Sequence, residues 1–204
     1  MLLKRRLAIA TVSTALFRSK IASSQSDENR GPFGLTFGAS IELVQQAGIH
    51  LSEISENKSW GTTFTATGLS QVLSDMDPPG ISFGFKNKLW RIAVPSKSFG
   101  PDPYGSEVLT RYKELVLSLS QKYGHGTEVD LRDHEMWKKP NEYIMSLKQG
   151  RANRYTNFET NNISIEISIR AIDGENAYYL IIYESKSGMR EFTKDKKERE
   201  QNAL

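Results

Sequence analysis

The stretch from Ile163 to Glu184 constrains the fold more than any other part of the chain. It reads Ile-Ser-Ile-Glu-Ile-Ser-Ile-Arg, then Ala171-Ile172, then Asp173-Gly174-Glu175-Asn176, then Ala-Tyr-Tyr-Leu-Ile-Ile-Tyr-Glu. Strict alternation of apolar and polar residues is the pattern of a half-buried strand. Asp-Gly between two such runs marks a hairpin turn. A two-residue loop (Gly174-Glu175) pairs Asp173 with Asn176, and a four-residue loop pairs Ile172 with Ala177; both give one register. In it Ile169 opposes Leu180 and Ile167 opposes Ile182, because side chains alternate faces with period two. Ile163, Ile165, Ile167, Ile169, Tyr178, Leu180 and Ile182 then form the apolar face. Tyr179, Ile181 and Tyr183 fall on the opposite, mixed face beside Glu166, Ser168 and Arg170.

The rest of the chain supplies helices to cover such a sheet. Ser40 suits an N-cap, Leu43, Val44 and Ala47 make a short stripe, and Gly48 a stop. Residues 50–59 read as polar loop. Trp60 to Thr67 reads as a strand, and Asp77-Pro-Pro-Gly80 is a breaker. Ile81 to Phe85, a turn at Lys86-Asn-Lys88 and Leu89 to Val94 form a second hairpin. Val108, Tyr112, Leu115, Val116, Leu119 and Tyr123 lie on one helical face, in a helix opened at Asp102-Pro103 or Ser106 and ended by Gly124. Residues 125–139 read as irregular, and Pro140 to Leu147 as a short helix. Arg154 to Thr160 is a strand, joined by Asn161-Asn162 to the first hairpin described. The order is helix, strand, strand, strand, twice. The expectation is an α+β fold: two layers, an antiparallel sheet of hairpins with helices on one face, and a possible tandem αβββ repeat. The organisation expected is a signal-like leader (1–24), a linker (25–32), a single α+β domain (33–185, halves 33–97 and 98–185) and a charged tail (186–204).

Charge and composition narrow the function. The 204 residues carry a net charge of +3, but the five basic residues of 1–24 meet no acid there. Without them 22 bases face 24 acids, or −2. A mildly acidic body argues against nucleic-acid binding, which needs a clustered positive surface. The absence of cysteine excludes disulfides, thiolate metal sites and a thiol nucleophile. The leader combines Lys4-Arg5-Arg6, an apolar run from Leu7 to Phe17 and small residues ending Ala22-Ser23-Ser24. These are the parts of a secretory signal, with Gln25 as the expected first mature residue. The apolar run is too short for a stable membrane span. An Arg- and Ser-rich leader without acids also suits organelle targeting. The expected location is the periplasm or the exterior.

Phe33-Gly-Leu-Thr-Phe-Gly-Ala-Ser-Ile-Glu-Leu-Val resembles the opening of a group of small, uncharacterised exported bacterial proteins. Those begin Phe-Gly-Leu-x-Trp/Phe-Gly-Met-Ser-x-x-x-Val after a signal peptide. Leu89-Trp-Arg-Ile, Tyr104-Gly and Leu119-x-x-Lys-Tyr-Gly look like that group's next landmarks. At fold level the pattern is similar to the helix-plus-sheet design of outer-membrane assembly lipoproteins and β-lactamase inhibitor proteins. The resemblance brings no catalytic motif, and the lipoproteins' anchoring cysteine is missing.

Chemistry-bearing patterns are sparse. Gly31, Gly34 and Gly38 match neither phosphate-loop spacing. Glu128 to Glu135 is the densest polar cluster and offers an enzyme reading, a hydrolase or metal-dependent enzyme built on this acidic loop. It matches no zinc or calcium loop, so no metal, cofactor or catalytic residue is assigned. His50 and His125 follow helix ends and suit helix-dipole partners better than bases. The sequence therefore points to a non-enzymatic binding protein that meets a protein or envelope component through its sheet, with Tyr179, Ile181 and Tyr183 as the expected contact residues. An inhibitory or structural envelope module is the other reading.

Overall fold

The computed structural model describes residues 29–57, 60–134 and 138–202. The expected leader and most of the expected linker lie outside those residues. The first half comprises α1 (Ile41–Gln46), β1 (His50–Asn57), β2 (Gly61–Thr67), β3 (Gly80–Phe83) and β4 (Leu89–Pro95). The second comprises α2 (Ser106–Tyr123), β5 (Thr127–Arg132), α3 (Tyr143–Lys148), β6 (Ala152–Glu159), β7 (Ile163–Ala171) and β8 (Ala177–Ser185). The expected charged tail is a helix, α4 (Lys186–Asn202).

All eight strands form one antiparallel sheet in the order β1-β2-β3-β4-β8-β7-β6-β5. Each half is thus a helix followed by a four-stranded meander, not the three strands expected. The meanders meet through their last strands, with Val94 opposite Ile181 and Ala93 opposite Ile182. In both halves a glycine at positive φ (Gly48 at 84°, Gly124 at 89°) releases the helix into the edge strand. Left-handed backbone at that position is cheapest without a Cβ.

The local signals act as their chemistry dictates. The Ser40 hydroxyl accepts from the Leu43 amide and opens α1. The Asp102 carboxylate accepts from the amides of Tyr104, Ser106 and Glu107 and opens α2. Asn161-Asn162 forms the two-residue turn, with Thr160 N donating to Ile163 O. Ile81, Ile92, Ile165 and Ile167 reach zero exposure beneath Val44 of α1 and Val108, Tyr112 and Leu115 of α2, in one continuous core. Each fully buried aliphatic side chain of this kind contributes about 1.5–3 kcal/mol.

The central hairpin departs from the expected register by one residue. Ile169 opposes Tyr179 and Ile167 opposes Ile181. The loop has three residues: Ile172 N donates to Asn176 O, enclosing Asp173-Gly174-Glu175. Asp173 dictates this length. Its Oδ1 accepts from the amides of Glu175 and Asn176, an Asx turn that closes the loop around its own side chain. A slip of one residue exchanges the faces of a whole strand.

Candidate interaction surface

The slip decides which residues of β8 meet solvent. Tyr179, Ile181 and Tyr183 are 0%, 1% and 5% exposed. They lie on the inner face with the four isoleucines of β7, beneath α2. The Tyr123 ring sits 6.5 Å from that of Tyr183, and Phe99 lies 6.2 Å from Tyr179. The expectation of an accessible contact face made of Tyr179, Ile181 and Tyr183 is therefore corrected: they are core, because an odd loop turns β8 over.

Tyr179 also carries a polar link. Its hydroxyl donates to Asp75 Oδ1 at 3.0 Å, and the same carboxylate takes two hydrogen bonds from Arg111, at 2.7 and 3.1 Å. This ties the 68–79 connection to α2 and β8. Burial pushes the Asp75 carboxyl up, but hydrogen bonds from Arg111 and Tyr179 outweigh it and hold the group below the usual range. Burial raises the Tyr179 phenol, and the adjacent Asp75 carboxylate raises it further. Burial likewise raises Tyr183.

The residues exchanged to the outer face are Tyr178, Leu180 and Ile182, each half-buried. Pairing places Ala93 beside Ile182 and Pro95 beside Leu180 on β4. On the other side Ser168 lies beside Leu180, Tyr155 beside Ser168 and Val129 beside Tyr155. An apolar band with two tyrosines thus runs over β4, β8, β6 and β5, interrupted on β7 by the fully buried Ser168. Ion pairs flank it: Arg91 with Glu184 at 3.0 Å, and Arg170 with Glu166 at 3.2 Å. Opposite charges within the face cancel, so the band sits in a polar but locally neutral frame. Helices α2 and α3 contact β6 and β7 from the inner side. Helix α4 contacts β4 and β8, with Phe192 on Trp90.

The acidic segment takes a different form from the expected loop. Residues 127–132 are the edge strand β5, paired with β6. Glu128 and Asp130 point inward and both form ion pairs with Arg154 of β6. Asp130 also accepts from Arg132 Nε at 3.1 Å. The guanidinium of Arg132 lies 4.6 Å from the Tyr143 ring centre, and that of Arg154 5.5 Å from that of Tyr112. The Tyr112 and Thr156 hydroxyls are 2.6 Å apart. Burial, partly countered by Arg132, pushes the Tyr143 phenol up to about 12. Both β5 carboxylates are therefore engaged by guanidinium groups, an arrangement that ties β5 to β6. His134 is exposed at the end of this segment, and Glu135 lies outside the described residues. Among the described residues no group of three His, Asp or Glu side chains could hold a metal ion.

Sequence reasoning missed Tyr178, Leu180 and Ile182 as the outer set. The available signal was the Asp173 side chain, which favours a loop closed on itself. β8 is apolar at both parities, so its own pattern does not choose a face.

No helix among the described residues is long and apolar enough to cross a membrane. Comparison with family models, curated proteins and solved structures finds no match to this chain.

Proposed function

We propose that this chain is an exported, non-enzymatic binding protein that engages a protein or envelope component through the outer face of its sheet. The observation that carries the reading is the set of Tyr178, Leu180, Ile182, Pro95, Tyr155 and Val129, partly exposed on the outer face of β8, β4, β6 and β5 while α2 and α3 pack on the other side. An apolar strip with aromatic members and a polar rim has the make-up of a protein contact surface. Tyrosine adds contact area at low entropy cost. The paired charges at the rim favour an electrostatically neutral partner surface over a polyanion. The basic leader with its short apolar run supports export.

The test compares the wild-type chain with the double substitution Leu180→Lys/Ile182→Lys in chemical cross-linking within intact cells. Both positions are half-exposed, so the variant keeps the wild-type melting transition within a few degrees. The expected result is loss of the specific cross-linked species. A variant that folds and retains every cross-link of the wild type contradicts the proposal.

A further inference from the structure

At one corner of this face an aromatic group lies under a helix. Trp90 sits at the β-bulge where β3 and β4 change register. Its ring centre is 6.3 Å from that of Trp60, and its Nε1 donates to the Trp60 carbonyl at 3.1 Å. The Arg91 guanidinium lies 4.3 Å from the Trp60 ring centre. Arg91 belongs to the outer face, paired with Glu184. The aromatic group thus adjoins the outer face beyond the Arg91–Glu184 pair.

What covers it is α4. Phe192 stacks on Trp90 with centres 5.1 Å apart and planes 17° apart, and Trp90 is left only 3% exposed. Two glycines shape the seat. A Cβ on Gly84 would come within 2.9 Å of both Phe192 and Trp90, and one on Gly188 within 2.6 Å of Trp90 Cβ. Contacts that close require the side chain to be missing.

The two ends of α4 are held very differently. At its start Lys186 N donates to Asn162 O, Lys186 Nζ donates to Thr160 O and forms an ion pair with Glu159, and Ser185 Oγ accepts from Gly188 N. Beyond that anchor no residue of α4 is buried. Gly188, Phe192 and Asp195 are its half-covered positions. The remainder is sustained by i,i+4 pairs within the helix, Lys194 with Glu198, Lys196 with Glu200 and Arg199 with the half-covered Asp195. Such pairs add little, and a single amphipathic contact usually decides whether a helix of this length stays formed.

We propose that α4 is a strap: hinged at Ser187-Gly188, it occupies an aromatic seat on Trp90 through Phe192 and lifts to add Trp90 to the interaction face beside the already exposed Trp60. The role of the exposed seat rests on the reading of that face as the contact surface; the lifting itself does not.

The experiment uses the full chain with Trp60→Phe and Trp137→Phe, which leaves Trp90 as the sole tryptophan, excited selectively over tyrosine, and acrylamide as the probe. Hydrogen exchange is followed in parallel. In the parent, amides of residues 190–202 exchange at least about 100-fold faster than those of β8, because they open locally. Phe192→Ala raises the Trp90 quenching constant about three-fold and speeds α4 exchange about 10-fold more, with β8 protection unchanged. Gly188→Ala, which drives a methyl group against Trp90, does the same by another route. Parent exchange of α4 as slow as that of β8 overturns the proposal, as does unchanged quenching in both variants. None of these readouts needs a partner. They can succeed where Leu180→Lys/Ile182→Lys shows the docking reading wrong, and fail where it stands.

Discussion

The two faces of β8 carry nearly the same chemistry and do opposite work. Inward lie Tyr179, Ile181 and Tyr183; outward lie Tyr178, Leu180 and Ile182. Two tyrosines and one aliphatic residue face in, and one tyrosine and two aliphatics face out. Composition alone cannot tell the sides apart. What separates them is the cover: α2 packs on the inner set, and the outer set stays half-exposed. The choice between them is made at Asp173, whose side chain closes a three-residue loop and so fixes the parity of the strand.

Several substitutions sharpen or break that contrast, and their effects fall in a definite order. Ile167→Ala empties a site of zero exposure on the inner face and lowers unfolding free energy by about 4 kcal/mol, measured by urea denaturation. Arg154→Ala removes the guanidinium shared by Asp130 and Glu128 and costs about 2 kcal/mol in the same assay, because Glu128 is solvent-exposed and Asp130 keeps Arg132. Asp75→Asn removes the carboxylate that takes two hydrogen bonds from Arg111, leaving it only Glu114, and costs about 1.5 kcal/mol near neutral pH. Ile182→Thr on the outer face changes stability by less than about 1 kcal/mol. An outer substitution as costly as Ile167→Ala would mean that the outer face is covered.

Acid titration adds a second axis. The Asp75 and Glu159 carboxyls are both held below their usual values, Asp75 by Arg111 and Tyr179 against burial, Glu159 chiefly by Lys186. A depressed folded-state pKa contributes stability that is complete above the unfolded carboxylate range and is lost as pH falls through the folded value. Wild-type stability therefore declines below about pH 4. Asp75→Asn flattens that decline, and an unchanged acid limb would remove Asp75 from the account.

Much of the fold is legible in the sequence because the inner half of the sheet obeys simple alternation. Ile163 to Ile169, Ile81 to Phe83 and the Val108–Tyr123 stripe all face the side their periodicity requires. The two edge strands are illegible for an identifiable reason. On β5 the pattern is inverted, with Glu128, Asp130 and Arg132 turned inward and Val129 and Leu131 outward. Inward charge at a sheet edge discourages pairing with another chain, and it disguises the strand as an acidic loop. On β1, His50 to Asn57 carries only Leu51 and Ile54 as apolar residues, so it reads as linker. The contact surface is hidden for the other reason, a strand that is apolar on both sides and leaves the decision to its turn. The stack of Phe192 on Trp90 joins residues about a hundred positions apart and has no local sequence signature.

The absence of natural cysteine makes the central claim directly measurable. Leu180→Cys and Ile181→Cys, made singly, place one thiol on each face of β8, and maleimide labelling rates report which side meets solvent. The outer thiol is expected to label at least about 1,000-fold faster than the inner one, whose reaction waits on opening of the core. Labelling Leu180→Cys with a bulky maleimide should also abolish the cross-linked species seen with the wild-type chain. Equal rates, or faster labelling at position 181, would contradict the assignment of the outer face and the function built on it.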